Sequence, residues 1–189
     1  MRVIAGDLRG RRLIAPRGTA TRPTSDRVKE SLFAIIGPLG GERVLDLFAG
    51  SGALAIEALS RGAAEARCVD DDRGAVEAIR VNAEVLGLGD RLHAQRRGWR
   101  AALADVAAAG HRYDLVLADP PYPLLPVILD ELAQAISGVA APGAIIVLEH
   151  ARGAIIRAGG VPALAVERDT TRRYGDTEIT VLWTVKGGT

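Results

Sequence analysis

Short apolar runs alternate with segments of helical length over most of the chain. The runs RVLDLF, ARCVD, RLHAQ, YDLVLA and AIIVLEH are separated by longer stretches such as DRGAVEAIRVNAEVLG. In that stretch Val76, Ile79, Ala83 and Leu86 recur at helical spacing, and Gly87 is placed to end the helix. Such alternation is typical of parallel strands joined by crossover helices. We therefore expect an α/β fold with helices on both faces of the sheet.

The two ends of the chain depart from this alternation. RVIAG and RRLIA, separated by DLRG, predict an N-terminal β-hairpin, and SDRVKESLFAII predicts a helix capped by Thr24 or Ser25. The last segment, ALAVERDTTRRYGDTEITVLWTV, predicts two antiparallel strands around a glycine turn. We expect an N-terminal extension over residues 1–24 and the main domain over residues 25–189.

Composition restricts the class of protein. The 189 residues are 48% hydrophobic and 25% charged, which is ordinary for a globular domain. Apolar runs stay below the roughly 18 residues that cross a bilayer, so we expect a cytoplasmic protein with no membrane partner. The lone Cys68 predicts a buried thiol, and His93, His111 and His150 lack metal-ligand spacing, so no metal is expected.

Charge is distributed unevenly. The formal net charge is +1, but residues 1–29 carry eight basic and two acidic side chains, a balance of +6, which leaves −5 for the rest. A basic segment on an otherwise acidic domain favours a nucleic-acid partner over a merely solvated surface. The basic residues of the segment are Arg2, Arg9, Arg11, Arg12, Arg17, Arg22, Arg27 and Lys29. We expect removal of residues 2–20 to weaken binding to this partner and to flatten its salt dependence, while sparing the affinity for any cofactor of the main domain.

The motif DLFAGSG predicts a cofactor turn between the first strand of the domain and its helix. Gly50 and Gly52 permit close approach of a ligand to the backbone, and Asp70 ends the next strand, where a carboxylate can bind ribose hydroxyls. Together with Ala55 the two glycines also match the nicotinamide or flavin pattern G-x-G-x-x-A. An oxidoreductase therefore stays open at this point.

Asp46 favours a different cofactor. A carboxylate four residues before Gly50 would repel a pyrophosphate but can accept hydrogen bonds from an ammonium group. S-adenosylmethionine carries an ammonium group and no phosphate. Asp71 and Asp72 are better placed to favour the N-terminus of the following helix, although Asp71 can also flank the adenine.

The motif ADPPY, at residues 118–122, ends the apolar run YDLVLA with a carboxylate and two prolines. Asp119 and the carbonyl of Pro120 can accept hydrogen bonds from the two N–H groups of an exocyclic amine, and Pro121 stiffens the turn. Tyr122 offers a ring on which an extruded base can stack. We expect this turn to lie beside the cofactor crevice.

These motifs together resemble a known family. DLFAGSG with ADPPY is similar to the class I S-adenosylmethionine-dependent methyltransferases, and RVIAGDLRGRRL with RPTSDRVKESLF resembles the bacterial 16S rRNA (guanine-N2) methyltransferases that act on guanine 966. Arg22, Thr24 and Arg27 match the RPT-x-DR signature of that family. The resemblance covers nearly the whole chain.

The resemblance implies a Rossmann-like, seven-stranded, mostly parallel sheet with an antiparallel last strand, and a small ribosomal subunit as substrate. It implies a cofactor site made of Asp46, Phe48, Ala49, Gly50, Ser51, Gly52, Asp70 and Asp71. The segment AQRRGW lacks the usual acidic or amide residue for the adenine, and Gly98 or Trp99 would substitute. Two further classes of protein stay open, a DNA adenine-N6 methyltransferase and a non-catalytic RNA-binding protein.

Overall fold

The computed structural model describes residues 1–16, 25–153, 156 and 160–187 of the chain. Helices and strands follow the predicted alternation. The helices are α1 Asp26–Ile36, α2 Ala53–Ser60, α3 Arg73–Leu86, α4 Trp99–Ala108 and α5 Leu125–Ser137. The strands are β1 Arg43–Leu47, β2 Glu65–Asp70, β3 Leu92–Arg96, β4 Tyr113–Ala118, β5 Ala140–Ala151, β6 Val166–Tyr174 and β7 Thr177–Thr184. Among the described residues, no helix is both long and apolar enough to span a membrane.

The strands form one mixed sheet in the order β3-β2-β1-β4-β5-β7-β6. The prediction of seven strands with an antiparallel last strand is confirmed, because β7 runs antiparallel to both β5 and β6. The chain divides into two compact units, Met1–Trp99 and Arg100–Thr189. The predicted division at residue 24 stays a prediction, and residues 1–16 belong to the first unit.

In the first unit β2 pairs in parallel with both β1 and β3. The connecting helix α3 begins at the cap Asp72 and ends at Gly87, whose φ is 67°. Its predicted apolar positions, Val76, Ile79, Ala83 and Leu86, are all buried. Cys68 of β2 is a buried free thiol as predicted, and burial raises its pKa.

In the second unit β4 pairs in parallel with β5, and β5, β7 and β6 form an antiparallel group. The strands β6 and β7 are joined by a turn that contains Gly175, whose φ is 65°. Leu115, Val116 and Leu117 of β4 are almost fully buried. A strand buried on both faces has a continuous apolar sequence, which explains the run YDLVLA.

The N-terminal segment folds back on itself as a short antiparallel hairpin with little regular strand. A bridge joins Arg2 to Arg12, and the Val3 N–H donates to the Arg11 carbonyl at 2.9 Å. The backbone N–H groups of Ile4 and Ala5 donate to the carboxylate of Glu57 on α2, at 2.8 and 3.0 Å. The hairpin is therefore paired within itself and is also bound to a helix.

A glycine makes this docking possible. Gly6 has a φ of 81°, and a Cβ built on it would lie 1.7 Å from the carbonyl oxygen of Ser60. The Ser60 hydroxyl also accepts from the Leu8 N–H and donates to the Ala5 carbonyl. No other residue type fits so close to the helix backbone.

Helix α1 begins as predicted, with the Ser25 hydroxyl accepting from the Val28 N–H. Of its expected apolar face, Val28, Leu32 and Ile36 are buried, but Ile35 is only half-buried. Lys29, which the sequence places in the basic segment, is fully buried and donates to the Arg2 carbonyl. Burial lowers its pKa. Lys29 is therefore a structural residue and does not contribute to an exposed basic surface.

Candidate active site

The predicted cofactor turn follows β1 and has an unusual backbone. Phe48, Gly50 and Gly52 have φ values of 60°, 55° and 74°. A Cβ on Gly52 would lie 3.2 Å from Ile79, so this glycine packs against α3. A Cβ on Gly50 would meet no atom of the described residues within 4 Å. Packing therefore explains Gly52, whereas Gly50 leaves open space in which a ligand can approach the backbone.

Asp46 lies at the buried end of β1 and is 2% exposed. Its Oδ2 accepts from the N–H of Ala55 in the first turn of α2, at 3.2 Å. The carboxylate thus stabilises the start of the helix that follows the turn, where N–H groups lack helical partners. The sequence predicted Asp46 as a ligand-binding residue, which stays a prediction, and it did not reveal this contact with α2.

Asp70 connects the end of β2 to the cofactor turn. Its Oδ2 accepts from the Gly50 N–H at 2.8 Å, and its Oδ1 accepts from the Asp72 N–H at 2.9 Å. Burial raises the pKa of Asp70, and these two hydrogen bonds oppose that effect. Each carboxylate oxygen retains a lone pair that can accept from a ligand hydroxyl.

The remaining predicted cofactor residues lie around the same turn. The Ala49 N–H donates to the Val69 carbonyl at 3.1 Å, and its carbonyl accepts from Gly52. Asp72 caps α3 by accepting from the Ala75 N–H, which confirms the helix-start interpretation for this residue. Asp71 is exposed.

The segment after β3 contains the two residues proposed for the adenine. Gly98 is exposed and Trp99 is buried at the start of α4. The neighbouring Arg97 N–H donates to the Asp70 carbonyl at 3.0 Å. Backbone hydrogen bonds therefore join the segments that follow β1 and β3 to the last two residues of β2.

Sequence reasoning missed Asn82, Glu57 and Ser60, which hold the N-terminal segment and the cofactor turn. The Asn82 amide binds the backbone of Ile14 and the Ser51 carbonyl. All three residues are buried, with exposures of 2% or less. A polar side chain on the apolar face of a helix was the available signal, because such a group is rarely buried without a partner.

The turn after β4 carries the predicted amine-binding residues. Asp119 directly follows the strand, and burial raises its pKa from 3.8 to about 6. The Pro121 carbonyl accepts from the Leu124 N–H at 2.8 Å, which closes the turn before α5. Among the described residues, no donor is bonded to the Pro120 carbonyl. Asp119 and Pro120 thus offer two adjacent acceptors.

Tyr122 is fixed through its hydroxyl group. This group is hydrogen-bonded to the Thr177 hydroxyl at the start of β7. The side chain is half-buried. Its ring is therefore restrained at the hydroxyl end while part of it faces solvent.

The predicted RNA-binding arginines are only partly described. Arg17 and Arg22, like Thr24 of the signature, lie outside the described residues. Arg2 is exposed but forms an ion pair with Asp26 at 2.9 Å. The other arginines are exposed on the first unit: Arg9, Arg11, Arg12 and Arg27. In the described part of the chain, no cluster of three or more His, Cys, Asp or Glu side chains can hold a metal ion.

The strand order and the turns after β1 and β4 define a Rossmann-like fold of the class I methyltransferase type. A solved structure titled "Putative methyltransferase yhhF from Escherichia coli" aligns over 99% of both chains with a TM-score of 0.79 and 30% identity. The chain belongs to the family described as "Conserved hypothetical protein 95", whose model matches residues 1–183.

Two curated relatives extend this assignment. The chain is 46% identical over 123 residues to "Putative rRNA methyltransferase YlbH" of Bacillus subtilis, over 65% of this chain and 67% of that protein. It is 38% identical over 123 residues to "Ribosomal RNA small subunit methyltransferase D" of Escherichia coli K12, over 65% of this chain and 60% of that protein. The chain is thus a homologue of proteins named as rRNA methyltransferases, and the match spans about two thirds of their length.

Proposed function

We propose that this protein transfers a methyl group from S-adenosylmethionine to the exocyclic N2 amine of guanine 966 in 16S rRNA. The observation that carries the proposal is the pair of adjacent acceptors after β4, the Asp119 carboxylate and the Pro120 carbonyl. The names of the relatives and the exposed arginines of the first unit support an rRNA substrate.

Two acceptors suit the chemistry of an aromatic amine. The lone pair of such an amine is delocalised into the ring, so the nitrogen is a weak nucleophile. Hydrogen bonds from its two N–H groups to Asp119 and Pro120 would direct the lone pair away from the turn and stabilise the positive charge that develops on nitrogen. The ionised carboxylate stabilises that charge better than the neutral acid, and with a pKa raised to about 6 the ionised form predominates only above that pH.

Tyr122 would support the base itself. Stacking on an aromatic ring contributes about 1–3 kcal/mol per base and does not depend on base identity. Because the Thr177 hydroxyl restrains the tyrosine hydroxyl, the ring loses little further freedom when a base binds. Pro120 and Pro121 fix the backbone between the acceptor and the ring.

The turn after β1 fits S-adenosylmethionine, which supplies a methyl group activated by a sulfonium. Gly50 leaves open space beside the backbone, and the Asp70 and Asp46 carboxylates bind N–H groups of the turn and of the start of α2. That charge suits an ammonium and ribose hydroxyls and disfavours a pyrophosphate. We assign the ammonium to Asp46, the ribose to Asp70, and the adenine to Asp71, Gly98 and Trp99, with Phe48, Ala49 and Ser51 in the turn.

The RNA would bind through arginines of the N-terminal segment and α1. Arginine forms forked hydrogen bonds with phosphate, and each neutralised phosphate releases counterions. We assign this role to Arg2, Arg9, Arg11, Arg12, Arg17, Arg22 and Arg27. The substrate is an assembled or partly assembled small subunit in the cytoplasm.

The test is transfer of labelled methyl from S-adenosylmethionine to small subunits that lack the modification. Digestion to nucleosides should yield N2-methylguanosine as the labelled product. Two controls accompany it: subunits that already carry the mark should accept no label, and the Asp119→Asn variant should transfer at least about 100-fold less of it. Duplex DNA is a further arm, because label in N6-methyladenine would replace the proposal with a DNA methyltransferase. A protein that binds S-adenosylhomocysteine but labels neither substrate would refute it.

A further inference from the structure

One buried amide joins the N-terminal segment to the cofactor turn. Asn82 of α3 is 2% exposed, and its Oδ1 accepts from the Ile14 N–H at 2.8 Å. Its Nδ2 donates to the Ile14 carbonyl at 3.0 Å and to the Ser51 carbonyl at 3.1 Å. Both amide hydrogens and the amide oxygen are therefore used.

The contact to Ser51 restrains a peptide that lies between two glycines. Ser51 lies between Gly50 and Gly52, which have left-handed φ values of 55° and 74°. Glycine has the widest choice of backbone conformations, so two glycines flanking one residue leave its peptide groups weakly determined. The Ser51 carbonyl is held by Asn82, and the N–H of the same peptide, on Gly52, donates to the Ala49 carbonyl at 2.8 Å. The peptide is thus fixed at both ends.

The N-terminal segment in turn restrains Asn82. Ile14 contacts the amide through both of its backbone groups, as a neighbouring strand would. The rest of the segment is held on α2 by Glu57 and Ser60. Loss of the segment would leave the Asn82 oxygen and one amide hydrogen without these partners.

We infer that Asn82 is a positioning residue, which acts through Ser51 to hold the cofactor turn in its binding conformation against the N-terminal segment. The inference rests on the proposed function, because it takes Gly50–Gly52 as the turn that binds S-adenosylmethionine. It also reverses one expectation from the sequence. Removing the N-terminal segment should weaken cofactor binding as well as RNA binding.

The experiment compares Asn82→Ala with Ser60→Ala in the full chain. The Ser60 hydroxyl also makes two hydrogen bonds with the N-terminal segment, at Leu8 and Ala5, but no hydrogen bond with the described cofactor turn. Calorimetry with S-adenosylhomocysteine should show about tenfold weaker binding for Asn82→Ala, because the buried Ser51 carbonyl loses its partner. Ser60→Ala should stay within about twofold of the parent chain.

Steady-state kinetics distinguish a positioning role of Asn82 from a general loss of structure. Asn82→Ala should raise the KM for S-adenosylmethionine about tenfold and leave kcat at saturation within about twofold, since bound cofactor restores the turn. A thermal melt of each variant verifies folding. If Asn82→Ala does not fold, Asn82→Ser keeps one hydroxyl for the Ile14 backbone and takes the same measurements.

The outcomes are distinguishable. A parent chain that fails to bind S-adenosylhomocysteine would overturn the proposed function, whatever the variants do. A parent chain that binds, with Asn82 and Ser60 variants equally weakened or equally unaffected, would overturn the positioning role alone. A drop in kcat with an unchanged KM would also contradict it.

Discussion

The turn after β1 and the turn after β4 are stabilised in opposite ways. In the first, the chain itself binds the backbone, through Asp70 at Gly50 and Asn82 at Ser51. In the second, two prolines fix the backbone, and the Pro120 carbonyl has no bonded donor among the described residues. The first turn is therefore arranged before a ligand arrives, whereas the second leaves acceptors for its substrate and bears the cost of a desolvated carboxylate.

Asp119→Asn should have the largest effect on turnover. The amide keeps the size of the side chain but removes the negative charge, so methyl transfer should fall by at least about 100-fold, the scale seen for loss of a transition-state contact. Affinity for S-adenosylhomocysteine should stay within about twofold, as measured by calorimetry. Equal loss of binding and turnover would show that the two turns do not have separate roles.

Substitution of the two glycines tests the first turn. Gly50→Ala should weaken S-adenosylhomocysteine binding by about tenfold or more, with a stability cost of about 1–2 kcal/mol from its positive φ. Gly52→Ala adds a contact with Ile79 at 3.2 Å, so its melting temperature should fall further. Calorimetry and thermal melts of both variants check this order. If the Gly50→Ala variant binds S-adenosylhomocysteine as tightly as the parent, the ligand does not occupy the space beside Gly50.

Two substitutions of Tyr122 distinguish the role of its ring from the role of its hydroxyl group in the turn after β4. Tyr122→Ala should raise the KM for the subunit about tenfold, because stacking on a base is lost. Tyr122→Phe keeps the ring and removes only the hydrogen bond to Thr177, so its KM should change by about twofold or less. Steady-state kinetics with subunits measure both. Similar losses in the two variants would make the hydroxyl, and not the ring, the functional group.

The pH dependence of stability should also differ between parent and Asp119→Asn. The pKa of Asp119 is about 6 in the folded protein, against an ordinary value of 3.8. Between these values the folded state binds more protons than the unfolded state, so the free energy of unfolding falls as pH rises and levels off above about 6. The free energy of unfolding of Asp119→Asn should lack this dependence on pH.

Denaturant unfolding at pH 5 and pH 7.5 checks this prediction. At the higher pH Asp119→Asn should be more stable than the parent by about 1–2 kcal/mol, because an uncompensated charge has been removed. Identical slopes for parent and variant would mean that Asp119 is solvated as an ordinary carboxylate.

The smallest effect is expected on the exposed side of the N-terminal segment. Arg9 is exposed, so Arg9→Ala should weaken subunit binding several-fold and reduce the dependence of log K on log salt concentration by about one. Arg9→Lys keeps the charge and should retain most of that slope. Affinity for S-adenosylhomocysteine should not change in either variant, because the Arg9 side chain lies in solvent and the contacts that hold the segment come from other residues. A changed affinity for S-adenosylhomocysteine would show that the exposed arginine also affects the cofactor turn, contrary to this prediction.

The fold could be predicted from sequence because its signals are local. Apolar periodicity located α3 with its Gly87 terminator, and the tail without an intervening helix indicated the antiparallel strands β6 and β7. DLFAGSG and ADPPY located both turns, because glycine widens and proline restricts the choice of backbone conformations wherever they occur. The assigned roles in cofactor, base and RNA binding stay predictions.

The sequence by itself determined the elements, their order and the two turns, since these depend on residues close together in the chain. Only the tertiary structure decided that Glu57 and Ser60 bind the N-terminal hairpin, that Lys29 is buried, and that Asn82 joins Ile14 to Ser51. These contacts connect residues more than 25 positions apart. A buried polar group takes whichever partner the packed chain brings near, and no local pattern specifies that partner.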